Sequence, residues 1–296
     1  MKTYLTIDIG GTNLKYSLIR EDGHLIEDSK VPSPQEESNF WQTFDGLIAL
    51  YQDRIQGIAI SIPGQVDAKK GIVMASGSLT FLQNIALGER MEQKFSLPTT
   101  IQNDGKAAAL GEWWLGSLKG RQDAAILTLG TGVGGGLILD GRLRQGPHFQ
   151  AGEMTFTFLN PAGMGFQKFS GGLCSAVNLV REINRILGHS QLDDGKIAFK
   201  AIAEGHYQVL PLFKEYCRYV ASLVVNMQAT VDLECVAIGG GISSQPLLVK
   251  EINAQYDQLL EENPIVKWVL HRPEICAAQL GNIASQYGAL YHHLHS

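Results

Sequence analysis

Two glycine-rich turns, and a carboxylate that lies between them in the sequence, carry the chemistry this chain can do. The first turn is Asp8-Ile9-Gly10-Gly11-Thr12-Asn13, followed by the apolar run Leu14 to Ile19 and an Asp22-Gly23 turn. The second is Gly130-Thr131-Gly132-Val133-Gly134-Gly135-Gly136, followed by Leu137 to Leu139 and Asp140-Gly141. Apolar strand-like runs precede both, Tyr4 to Ile7 and Ala124 to Leu129, and a closing Asp-Gly is a strong short-range hairpin signal. Glycines at a bend let a ligand approach the backbone, whose N–H groups can then converge on an anion. One such loop reads equally well as an ordinary tight hairpin. Two of them favour a pair of related halves that grip a phosphate chain, as in a nucleotide-dependent phosphotransferase. On that reading Gly10, Gly11, Thr12, Asn13, Gly130, Thr131, Gly132 and Gly134 form the phosphate cradle. Lys15 adds positive charge, and Asp8 at the strand end holds a magnesium ion through water.

Gly130, Gly132 and Gly135 also fit the G-x-G-x-x-G spacing of dinucleotide folds. That fingerprint needs a helix directly after the glycines, whereas Leu137-Ile138-Leu139-Asp140-Gly141 is a strand and a turn. No Gly-Lys-Ser/Thr occurs anywhere, which removes a Walker A reading. Asn103-Asp104-Gly105 falls where a short strand meets an alanine-rich helix. Asp104 there is either a helix N-cap or a general base that takes a proton from an attacking hydroxyl, and local sequence alone favours the cap. Asn103 offers both a donor and an acceptor to a polyol. Glu153, among Phe149, Ala151, Met154 and Phe156, suits bidentate bonds to sugar hydroxyls as well as it suits a solvated loop. Gly64, where a buried strand ends at Pro63-Gly64, joins the substrate-binding group. Gly240 and Gly241 close another buried strand in a turn that fits either the adenosine end of a nucleotide or a bare strand–helix connection. The tail His292-His293-Leu294-His295 has metal-like spacing but is expected to fray into solvent, and Trp113-Trp114 to pack a domain face.

Positioning these groups takes two α/β halves. Residues 1–30 read as three strands joined by tight turns. Helices are predicted at about 37–53, 86–96 and 105–118, then at about 173–187, 194–204, 206–231 and 281–294. Runs of strands followed by helices predict two α/β domains with a cleft, residues 1–117 with 280–296 and residues 118–279. A chain of 296 residues supports two such cores. Its 33 glycines exceed the usual share of about 7% and cluster at 10–11, 130–136, 163–172 and 239–241, as backbone–ligand approach requires. A net charge of −5 gives no basic field for nucleic acid. Cys174, Cys217, Cys235 and Cys276 form no CxxC pair and no Cys/His cluster. Neither a zinc nor a disulfide framework is therefore expected, and a reducing, cytoplasmic setting is. The apolar stretch Tyr219 to Val231, interrupted by Asn226 and Gln228, is too short to span a bilayer, and no secretory leader is expected.

Taken together these segments resemble the ROK family of bacterial sugar kinases, within the actin/hexokinase-like superfamily, over nearly the whole chain. Asp8-Ile9-Gly10-Gly11-Thr12 resembles its first phosphate loop, Gln102 to Glu112 its catalytic segment, and Leu129 to Gly136 its second phosphate loop. Ala151-Gly152-Glu153 resembles the sugar-binding segment and Gly239-Gly240-Gly241-Ile242 the adenosine loop. The resemblance implies two RNase H-like domains, ATP and Mg2+ as cofactors, a small-molecule sugar partner and a homodimer, with no nucleic acid or membrane. It implies Asp104 as the catalytic base and Asn103 and Glu153 as holders of sugar hydroxyls.

One departure matters. Most of the family follows Gly-Glu with a glycine and a zinc-binding histidine, then a cysteine-rich segment, where this chain has Met154, Thr155-Phe156 and, later, Gly171-Gly172-Leu173-Cys174. One thiol without a suitable histidine cannot build a tetrahedral zinc site. The chain thus resembles the zinc-less branch, which includes β-glucoside kinases. Fewer polar contacts at the reducing end of the sugar would tolerate a substituted anomeric oxygen. The expected reaction is ATP-dependent phosphorylation of a hexose or hexoside hydroxyl, the 6-hydroxyl, with a β-glucoside first. N-acetylmannosamine, glucose and fructose are the alternatives. The remote rival is a sugar-responsive regulator of the same family lacking its DNA-binding domain. Such regulators carry a helix-turn-helix ahead of the first loop, and a loop beginning at residue 8 is expected to leave no room for one.

Overall fold

A computed structural model describes residues 1–77 and 79–296 as two compact units. The first comprises Met1–Lys119, Leu143–Ala151 and Ile283–Ser296. Its chain begins with β1 (Thr3–Ile9), β2 (Asn13–Arg20), β3 (Leu25–Pro32) and α1 (Glu37–Tyr51). It continues with β4 (Ile58–Ile62), β5 (Gln65–Asp67), β6 (Ile72–Ala75), α2 (Leu87–Phe95), β7 (Thr99–Asn103) and α3 (Asp104–Leu115). The main sheet has the order β3-β2-β1-β4-β7, with β5 and β6 as a separate hairpin. β1 runs antiparallel to β2 and parallel to β4, which is parallel to β7. Period-two alternation sends Leu5, Ile7 and Ile9 of β1 into one core with Phe40, Phe44 and Ile48 of α1 and Met91 of α2. Tyr4, on the other face, packs with Ile19 and with Leu290 of the C-terminal helix Ala284–Leu294.

α3 and the C-terminal helix cross at backbone contact. A Cβ placed on Gly288 would stand 1.6 Å from the Ala107 carbonyl oxygen, and one on Gly111 2.2 Å from that of Ala284. This is why Ala107-Ala108-Ala109 and Gly111 are buried despite carrying so little apolar bulk. Glu112, with no solvent exposure, ends α3 by accepting from the backbone N–H and the hydroxyl of Ser117, each at 2.8 Å. Leu143–Ala151 packs with this unit, whereas the sequence reading kept it with the second. Lys106 Nζ donates to the Phe149 carbonyl at 3.1 Å and Gln65 Nε2 to that of His148 at 2.7 Å.

The histidine tail is not frayed, contrary to expectation. The C-terminal helix runs through His292 and His293. His293 Nδ1 lies 3.0 Å from Thr100 Oγ1, and its ring meets Tyr4 edge-on. Burial, and then the neighbouring His293, push the His292 imidazole down to about 4. Burial lowers His293 too, against a smaller opposing pull from Glu92. With folded values below the unfolded value of about 6.5, the unfolded chain takes up protons first as the medium acidifies. The stability these neutral rings contribute is complete above about pH 6.5 and is lost as pH falls towards 4. Urea unfolding across that window should show the loss in the wild type and a shallower slope in His292→Phe; equal slopes would refute it.

The second unit comprises Gly120–Arg142 and Gly152–Asn282. Its elements are β8 (Ala124–Leu129), β9 (Val133–Leu139), β10 (Arg142–Leu143), α4 (Ser170–Leu173), α5 (Ala176–Ile186), α6 (Gly195–Ala203) and α7 (Val209–Val231). β11 (Cys235–Gly240), α8 (Pro246–Glu261), α9 (Pro264–Val269) and β12 (Glu274–Ala277) follow. The sheet order β10-β9-β8-β11-β12 repeats that of the first unit. Leu127, Leu129, Val236 and Ile238 bury one sheet face against Val220 and Val224 of α7 and Leu248, Ile252 and Tyr256 of α8. Among the described residues no helix is long and apolar enough to cross a membrane.

Candidate active site

In the first unit the strand register lines up the anticipated residues. Asp8 pairs with Ser61, Ser61 with Gln102, and Ile62 with Asn103. The carboxyl ends of β1, β4 and β7 therefore finish level, and the Gly10–Asn13 turn, Gly64 and Asn103-Asp104 share one sheet edge. Open α/β sheets bind ligands at that edge. Gly10 N–H donates to the Asn13 carbonyl at 3.0 Å and closes the turn, leaving Gly11 and Thr12 exposed. Asp8 is 9% exposed. Its Oδ1 accepts from Ser61 Oγ at 2.6 Å, and its Oδ2 lies 3.3 Å from the ammonium of Lys15, the residue opposite it in the hairpin. One oxygen is thus fixed while the other faces a cation. That donor set fits a hydrated magnesium ion.

Asp104 is not the helix cap that local sequence favours. β7 runs through Asn103, whose extended backbone (ψ 142°) makes it the N-cap of α3, its Oδ1 accepting from Lys106 N–H at 3.0 Å. Asn103 Nδ2 donates to the Gly64 carbonyl at 2.8 Å and to Asp104 Oδ1 at 3.1 Å. Asp104, half-buried in the first turn, also accepts from Gly105 N–H at 2.8 Å. Its carboxylate is held in place by its neighbours and does not cap the helix.

In the second unit the glycine turn is closed by Gly130 N–H donating to the Gly132 carbonyl at 3.0 Å, with Thr131 exposed and Gly134 opposite Thr128 in the hairpin. Two residues that sequence reasoning missed hold it. Thr155 Oγ1 accepts from Val133 N–H at 3.0 Å and donates to its carbonyl at 2.9 Å. The Gly130 carbonyl accepts from Val177 N–H at 3.3 Å and Ser175 Oγ at 3.4 Å, where Ser175 caps α5. Gly240 pairs with Leu129 in the parallel ladder, so the second glycine turn and the Gly240-Gly241 turn again share a sheet edge. Gly240 has φ +97°, and a Cβ there would stand 2.2 Å from the Leu129 carbonyl oxygen. Its own carbonyl accepts from Ser243 N–H and Oγ, which folds the turn ahead of α8. Glu153, half-buried, follows Gly152 at the start of the short turn Met154–Phe156. Thr155 gave no sequence signal. Ser61 did, as a hydroxyl inside the buried run Ile58–Ile62.

A duplicated β3-β2-β1-β4-β7 sheet with a glycine turn in the first hairpin of each copy is the architecture of the actin/hexokinase type. The profile of the ROK family matches residues 4–295. A β-glucoside kinase of Listeria monocytogenes is 30% identical over 97% of this chain and 96% of its own length. An N-acetylmannosamine kinase of Escherichia fergusonii is 32% identical over 81% of this chain and 83% of its own. The crystal structure of a ROK family glucokinase from Streptomyces griseus, in complex with glucose and AMPPNP, superposes with a TM-score of 0.83 at 25% identity, covering 98% of both chains. The chain belongs to the ROK family and is a carbohydrate kinase.

Proposed function

We propose that this kinase transfers the γ-phosphoryl group of ATP to the 6-hydroxyl of a β-glucoside. Asp104 accepts the hydroxyl proton as the oxygen attacks phosphorus, and Asn103 and Glu153 hold other hydroxyls of the sugar. The turns at 10–13 and 130–134 receive the phosphates, and the Gly240-Gly241 turn the adenosine. Magnesium, held through water at Asp8, would neutralise charge on the phosphates. Most of the barrier reduction comes from positioning and charge stabilisation, the usual pattern for phosphoryl transfer.

The observation that carries the glycoside reading is what occupies positions 154–156. Met154 is buried, and Thr155 is committed to the backbone of Val133. The following segment is held by Ser170 N–H to the Thr157 carbonyl at 2.8 Å and by Leu159 N–H to the Lys168 carbonyl at 2.9 Å. This stretch shapes the phosphate hairpin instead of offering polar groups to a free reducing end. Phe156 and Phe158 stand 65% and 53% exposed just after Glu153, rings on which an aglycone could stack. A β-glucoside kinase is among the full-length relatives, as are glucokinases. Initial rates of ADP release on cellobiose, gentiobiose, glucose, fructose and N-acetylmannosamine test the reading. A β-glucoside should be favoured in kcat/KM by about 10-fold or more, the worth of about 1.4 kcal/mol. Preference for N-acetylmannosamine or glucose would overturn the choice of acceptor.

A further inference from the structure

The sequence spaces its cysteines too widely to suggest a metal, but the second sheet reunites two of them. β11 and β12 are parallel neighbours, with Cys235 opposite Glu274 and Ala237 opposite Cys276. Glu274 and Cys276, two residues apart, point to the same face of β12, and Cys235 points to that face from β11. Cys235 Sγ lies 3.7 Å from Cys276 Sγ. One ligand atom from each of Cys235, Glu274 and Cys276 lies within 4.8 Å of the others, and among the described residues no other three potential metal ligands converge in this way.

We propose that Cys235, Cys276 and Glu274 bind a thiophilic divalent cation of the zinc class, which fastens the edge strand β12 to β11. Zinc–sulfur bonds of about 2.3 Å at a tetrahedral angle set two ligand sulfurs about 3.8 Å apart, and the thiols already stand at that separation. A disulfide needs about 2.05 Å, so the same pair would have to move well over an ångström to oxidise. Thiolate ligands select zinc-like ions over magnesium, which prefers oxygen. The magnesium needed for phosphoryl transfer would not compete. Arg121 is ion-paired with Glu274, an outer partner of the kind that orients ligating carboxylates. Two thiolates and one carboxylate face the cation, while the Arg121 guanidinium is shared between Glu274 and Glu234, with two thiol protons released to solvent on binding. Cys235 is fully buried and Cys276 partly so, while Glu274 is exposed. The ion would enter from the Glu274 side and keep a water as its fourth ligand. This site is separate from the residues assigned to sugar and nucleotide, and its test does not depend on activity.

The experiment strips the full-length protein with a chelator under reducing conditions and titrates it with Co2+, then displaces Co2+ with Zn2+. One equivalent should bind, with thiolate-to-cobalt charge-transfer absorption and the intense visible bands of tetrahedral cobalt. Zinc should bleach both and raise the melting temperature. Cys276→Ser and Glu274→Gln should each weaken binding at least about 10-fold, the low end of the loss seen when even an outer-shell partner is removed. If Cys276→Ser does not fold, zinc protection of Cys276 from iodoacetamide in the wild type, read by peptide mass spectrometry, replaces it. Absence of charge-transfer bands, unaltered affinity in both variants, or an unprotected Cys276 would overturn the proposal.

Discussion

Asp104→Asn is expected to lower turnover by about 10²–10⁴-fold, the usual contribution of a positioned general base, while sugar affinity stays close to that of the wild type. Asparagine is nearly isosteric and keeps an oxygen to accept from Gly105 N–H and from Asn103 Nδ2. What it loses is the capacity to take a proton from the attacking hydroxyl. The helix should lose no more than the charge–dipole contribution of a first-turn acid, about 0.3–1 kcal/mol, because Asn103 and not Asp104 caps α3. A fall in kcat without a rise in KM is the signature of an interaction made only in the transition state. Calorimetric sugar binding together with a coupled ADP assay separates the two. Asn103→Ala provides the contrast: it removes a cap worth about 0.5–2 kcal/mol and the tie to the Gly64 carbonyl, so stability should drop. An Asp104→Asn enzyme that turns over sugar within a few-fold of the wild-type rate would remove Asp104 from the chemistry.

The sequence made the two glycine-turn hairpins and their duplication readable because their signals are local. Gly10-Gly11 and the 130–136 run each sit between an apolar strand and an Asp-Gly turn, and short-range turn chemistry decides such hairpins. The helices at 37–51, 87–95 and 209–231 were equally legible. The misreadings share a cause, since each depends on partners distant in the chain. Asn103 and Asp104 are both good N-cap residues, and only the pairing of Ile62 with Asn103 decides which of them the strand delivers to the cap. His292 and His293 looked solvated because their burial, for His293 against Tyr4, Gly57 and Thr100, is set by how the last helix packs. β12 is four residues long, Glu274–Ala277, too short for a period to show. With it went the meeting of Cys235 and Cys276. Lys106 is 1% exposed with its ammonium on the Phe149 carbonyl, a contact within the first unit that joins α3 to 143–151 and has no local signal.

Asp8→Asn should lower kcat/KM for ATP by about 10²–10³-fold, the scale of removing one preorganised charge-stabilising group, and should raise the magnesium concentration needed for half-maximal rate. The argument rests on what surrounds the carboxylate. Asp8 is 9% exposed, a burial that costs free energy for a charge unless a partner offsets it. Its partners are a hydroxyl, Ser61 Oγ at 2.6 Å, and an ammonium, Lys15 Nζ at 3.3 Å. Asparagine still accepts from Ser61, so β1 and β4 remain tied and the turn at Gly10–Asn13 keeps its geometry. Only the negative charge beside that turn disappears. Lys15→Met separates the charge of Asp8 from its ion pair. The Lys15 side chain is 36% exposed and that of Asp8 13%, so the half-exposed ammonium is partly screened by water and this variant should lose clearly less than Asp8→Asn. Comparable losses in the two variants would mean that the ion pair, and not a metal-directed carboxylate, is what the site needs. Unchanged magnesium dependence in Asp8→Asn would sink the assignment of Asp8 to the metal.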